Sequence, residues 1–73
     1  MSLQDEPRLR QEALVHATIA VKNAKRNGTI LVIKAEAERI YRMIPNCPVS
    51  RADLRAEMIR LGLSDRVAIE FAS

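Results

Sequence analysis

A stripe of alanines in the first third of the chain sets the tightest limit on its fold. At about 100° per residue, Leu9, Ala13, Ala17, Ala20, Val21 and Ala24 fall on one face of a helix, with Leu14 at its edge. Small side chains let another helix approach closely, but they fill little volume themselves. The bulk of the core must then come from elsewhere. With one Phe, one Tyr and no Trp, it has to be supplied by Ile, Leu, Val and Met, which bury less area per residue than aromatics. The chain has 73 residues, and a domain this size buries only about 60% of its unfolded surface. Partner chains are a common remedy for so thin a core. The expected organisation is a single helical domain over 1–73, with residues 1–5 flexible. Met1-Ser2-Leu3 reads as native or as a cloning remnant.

The first helix is predicted from about Glu6 to Arg26. Asp5 is placed as its N-cap, with Glu6 and Pro7 in the first turn, where free N–H groups favour an acid and Pro has no N–H to leave unpaired. Lys22, Lys25 and Arg26 crowd the last turn, and Asn27-Gly28 supplies the left-handed residue that closes it. Val15 and Ile19 depart from the stripe. They are β-branched, four residues apart, and point away from it, marking a second contact surface.

Two readings compete for the next segment. Ile30, Ile33, Ala37, Ile40 and Ile44 are spaced 3, 4, 3, 4, a heptad seam that predicts a helix from Ile30 to Ile44 with Thr29 as N-cap. Tyr41 lies beside the seam, Glu38 and Arg42 pair at i,i+4 on the outer face, and Pro45 ends the helix. Thr29 to Ile33 is also a β-branched run after an Asn-Gly turn, which describes a short strand, and residues 67–71 offer it a partner. The helix is preferred, because the seam includes Ile30 and Ile33 without a break and a two-stranded sheet is poorly supported in so small a domain.

Pro45 to Val49 is a loop. A third helix is predicted from about Arg51 to Leu61, opened by a capping box of Ser50 and Asp53 and carrying Leu54, Met58 and Leu61 on its apolar face. Gly62 is placed as its left-handed closing residue, with Leu63 folding back. Ser64 then caps a last short helix in which Val67 and Phe71 face inward. The fold class expected is all-α, a small bundle of four helices, two long and two short, completed by dimerisation.

Two helices joined across Leu61-Gly62-Leu63-Ser64 resemble a helix-turn-helix, which implies a DNA-binding transcriptional regulator contacting nucleic acid through Arg51, Arg55, Arg60 and Arg66. The sequence departs from that pattern. Met58 stands where a small residue is expected four before the Gly; six after it, where an apolar residue is expected, stands Ala68, which is small, with Val67 one place out of register. The would-be reading helix holds one Arg between Asp65 and Glu70, carboxylates that repel phosphates. The chain is mildly basic, +3 with a pI near 9.6. Nine basic residues face four acidic ones between Lys22 and Arg60, but they are spread over several helix faces, as on a solvated surface.

Catalysis is not expected. One His, one Cys and two Gly do not assemble a nucleophile, a base, an orienting group and an oxyanion cradle. Asp53 and Glu57 share a helix face, but a cap and a surface residue explain them. His16 on the rim of the stripe and Cys47 in its Pro-bounded loop complete no metal site, and no cofactor is expected. A single Cys precludes an internal disulfide and fits a reducing cytoplasm. The longest apolar run, Ile30 to Ile33, is far short of the roughly 20 residues of a membrane span. The acidic, polar N-terminus does not read as a secretory signal.

What remains is an excess of apolar surface. Beyond the faces a small bundle covers, Val15 and Ile19 on the first helix and Leu31 and Ala35 on the second are left over. The expected function is a non-enzymatic protein–protein interaction or regulatory module, homodimeric through Val15, Ile19, Leu31 and Ala35, or docked on a larger protein partner.

Overall fold

The computed structural model describes residues 5–71. Its order is α1 (Asp5–Asn27), β1 (Leu31–Val32), α2 (Ile33–Met43), α3 (Arg51–Ser64) and β2 (Ile69–Glu70). Of the tail expected over 1–5, residues 1–4 lie outside the described part, as does the side chain of Asp5, whose backbone is already helical.

α1 forms where the alanine stripe places it. Ala13, Ala17, Ala20, Val21 and Ala24 are all buried, and α2 and α3 both pack against α1. Its end is a left-handed closure. Gly28 sits at φ 65°, its N–H donating to the Lys25 carbonyl at 3.3 Å while Thr29 N–H donates to the Ala24 carbonyl at 3.0 Å. Gly is suited to this position because it has no Cβ to clash at positive φ.

The second segment divides where the two readings competed, and the strand wins its first part. Leu31 and Val32 pair in parallel with Ile69 and Glu70, and Leu31 N–H donates to the Ala68 carbonyl at 2.8 Å. α2 starts only at Ile33, so Thr29 does not cap it, and the preceding Val32 provides no side-chain cap bond. Ile33, Ala37, Ile40 and Ile44 are buried as the seam requires, but Ile30 is 63% exposed. The seam is therefore one residue shorter than predicted. Ile30 matched its spacing while belonging to the turn that brings the chain into β1.

α3 begins as expected, with Ser50 Oγ accepting from the Asp53 N–H at 3.1 Å, and buries Leu54 and Met58 completely. It does not stop at Gly62. The helix runs on to Ser64, and its closure lies four residues later at Arg66, φ 58°. Arg66 N–H donates to the Leu63 carbonyl at 3.2 Å and Val67 N–H to the Gly62 carbonyl at 2.8 Å, the paired bonds of a Schellman end. Gly62 serves the packing in another way. A Cβ there would come within 2.7 Å of Ile69 Cδ1 and 3.6 Å of Leu31 Cδ2, so the missing side chain lets the strand pair lie directly on α3.

No fourth helix follows among the described residues. Residues 65–71 form the turn and β2, and Phe71 is 63% exposed rather than facing inward. The four-helix expectation is thus corrected to three helices and one two-stranded parallel pair among the described residues. None of these helices is long and apolar enough to cross a membrane.

Candidate interaction surface

α1 has 23 residues, against 11 in α2 and 14 in α3. At about 1.5 Å per residue it is by far the longest rod in the molecule. Both shorter helices pack on its alanine side, so its opposite side faces solvent. On that side Val15 and Ile19 are each 45% exposed. Beside them Thr18 turns its hydroxyl back to the Leu14 carbonyl at 3.0 Å, which satisfies the polar atom within the helix. Leu14, Val15, Thr18 and Ile19 line one shallow hollow, rimmed by Arg10 and Lys22.

Two further exposed aliphatics flank this face. Met43, at the end of α2, shares a hollow with Val15 and His16. Ile30 shares another with Ile19, His16 and Asn23. Both hollows include His16, so Met43 and Ile30 lie on the same flank of α1, one towards each end. Sequence reasoning did not place either residue here. Ile30 fits the helix seam by its spacing, and Met43 lies off that seam with no signal of its own. Of the six large hydrophobics exposed among the described residues, Val15, Ile19, Ile30 and Met43 belong to this side, and only Leu63 and Phe71 do not line these hollows.

The other two residues expected at the interface are placed differently. Leu31 is 2% exposed. It is in β1, packed into the core beneath Gly62, and is not on a leftover face; the strand start of this segment turned it inward. Ala35 is exposed, but about 100° per residue puts it opposite the Ile33-Ala37-Ile40 stripe, and it lines none of the hollows around Val15 and Ile19.

The four arginines of the nucleic-acid reading do not gather into one patch of uncommitted charge. Arg51 donates to Glu38 at 2.8 Å and lies 4.1 Å from the centre of the Tyr41 ring, while Arg42 holds the other Glu38 oxygen at 2.8 Å. The Glu38 carboxyl is held below its ordinary value by the Arg51 hydrogen bond first and the Arg42 bond next, and Arg51 is raised by the same contact. Arg60 is bound by Glu57 through two bonds of 2.8 and 2.9 Å, which lowers Glu57 and raises Arg60. Arg55 lines a separate groove with Ala52, Ala56 and Phe71. Arg66 sits in the turn after α3. The second helix that the helix-turn-helix needs is absent from the described residues, because α3 passes through Gly62 unbroken.

Cys47 donates its Sγ–H to the Val49 carbonyl at 3.3 Å, a contact that stays within its own loop. No group of three His, Cys, Asp or Glu side chains is placed to hold a metal ion among the described residues. Comparison of the chain with protein-family models, with curated proteins and with solved structures finds no match in any of the three.

Proposed function

We propose that this chain is a small, non-enzymatic interaction module of the cytoplasm that works as a homodimer, closed through the outer face of α1. One observation carries the reading: Val15 and Ile19, half-exposed at the centre of the longest helix, are flanked on one side by exposed Met43 and Ile30. Isolated surface hydrophobics need no explanation, but a contiguous set rimmed by polar residues marks a contact site. A second copy is the economical occupant, since a two-fold axis covers the same face on both chains at once. The role as a module rests on composition as well, because one His and one Cys leave little for chemistry. The test is sedimentation from low to high micromolar concentration. The expected mass is about twice that of the 8.2 kDa chain, falling to the monomer in Val15→Glu/Ile19→Glu with helix content retained. A folded monomer at every concentration contradicts the proposal.

A further inference from the structure

The outer face of α1 carries a symmetry that bears on how two copies would meet. Val15 and Ile19 lie two residues on either side of Ala17, Glu12 and Lys22 five on either side, and Gln11 and Asn23 six. All six lie on the side of α1 away from the buried stripe, and Glu12, Lys22, Gln11 and Asn23 are exposed. Every pair therefore shares one midpoint. In an antiparallel helix pair, facing residues have a constant sum of positions, so a two-fold axis at the level of Ala17 sets each member of a pair opposite the other.

Resting on the homodimer reading above, we propose that two α1 helices pack antiparallel with the axis at Ala17, so that Val15 meets the partner's Ile19 and Glu12 meets the partner's Lys22. A parallel pair would instead oppose Glu12 to Glu12 and Lys22 to Lys22. Shifting the antiparallel register by one turn, to an axis at Val15, sets Lys22 against the partner's Arg8; the opposite shift, to an axis at Ile19, keeps Glu12 near the partner's Arg26 but sets Val15 against the partner's polar Asn23. The axis at Ala17 also gives Gln11 and the partner's Asn23 a complementary amide pair. It serves the flanking residues too. Met43 and Ile30 lie on the same flank of α1 at opposite ends, and an antiparallel two-fold carries Met43 towards the partner's Ile30. One like-charged pair, Arg8 and Arg26, shares the midpoint as well. It lies nine residues out, at the ends of the contact, and is the one pair that opposes this register.

The test is a charge-reversal cycle read by sedimentation. Glu12→Lys and Lys22→Glu each turn two attractive cross-chain pairs repulsive. Each is expected to raise the dimer Kd about tenfold at low salt, as two reversed exposed pairs allow. The double variant Glu12→Lys/Lys22→Glu keeps the net charge and restores both pairs, so its Kd is expected to return to within about threefold of wild type. An equimolar mixture of the two single variants is expected to associate more tightly than either alone. If the double variant is as weak as the singles while Val15→Glu/Ile19→Glu abolishes association, this register is wrong and the homodimer reading stands. If the wild type does not associate at all, both fail.

Discussion

Replacing Arg66 by glycine is expected to stabilise the protein, and the sign of the effect is diagnostic. Arg66 holds φ 58° at the end of α3, its backbone fixed by the bonds to Leu63 and from Val67 to Gly62. An L-residue in the left-handed region costs about 1–2 kcal/mol. Glycine avoids that cost but gives up about 0.5–1 kcal/mol more backbone freedom on folding. The difference favours Arg66→Gly by roughly 0.5–1 kcal/mol, which raises the melting temperature of a domain this size by about 2–8 °C. The assay is thermal and urea unfolding by far-ultraviolet circular dichroism. Variant and wild type must be compared at one protein concentration, because association makes the midpoint concentration-dependent. Arg66→Ala removes the same charge but leaves the strain, so it is expected to melt near the wild type. Had α3 ended at Gly62 and a new helix started after Ser64, Arg66 would lie in the first turns of that helix. Glycine there would destabilise by about 1 kcal/mol. A fall in melting temperature for Arg66→Gly refutes the closure described for α3.

Met58 is fully buried, and Met58→Ala is expected to cost about 2–5 kcal/mol, enough to leave much of so small a domain unfolded in a urea titration begun at zero denaturant. Glu38 and Glu57 titrate below the ordinary 4.5 because arginines hold their charged forms; a depressed folded pKa contributes stability above the unfolded value that is lost as pH falls through the folded one, so the melting temperature is expected to drop below about pH 4.5, and less steeply in Glu38→Gln/Glu57→Gln. Cys47→Ser keeps a donor for the Val49 carbonyl, so its melting temperature is expected within about 2 °C of wild type, and a loss of several degrees would show a role beyond the loop.

Much of α1 was legible because its signals are local. The alanine stripe, Pro7 and the Asn27-Gly28 end all act within a turn or two of where they stand. The body of α2 was legible for the same reason, from the Ile33-Ala37-Ile40-Ile44 spacing. Ile30 and Gly62 departed from expectation because their structure is set by distant partners. Ile30 lies three before Ile33, as a seam residue would, but Leu31 takes its backbone partner from Ala68, and no local period reports on that. Gly62 looked like a helix end because glycine is the usual closing residue. Inside α3 it instead leaves room for the Ile69 side chain, whose Cδ1 would lie 2.7 Å from a Cβ there. The strand signal at 29–33 and 67–71 was present, and the low standing of two-stranded sheets outweighed it. That objection fails here because the pair is backed by α3. Of the proposed surface, Val15 and Ile19 were readable as a break in the helix pattern, while Met43 and Ile30 join them only through the packing of α2 and the turn before β1 against α1.

Whether α1 meets a second copy is decided by intermolecular nuclear Overhauser effects in a sample mixing isotope-labelled and unlabelled chains at high micromolar concentration. Contacts between the Val15 methyls of one chain and the Ile19 methyls of the other are expected, with Met43 to Ile30 contacts beside them. A spectrum in which every contact to Val15 and Ile19 arises within one chain would contradict association through this face.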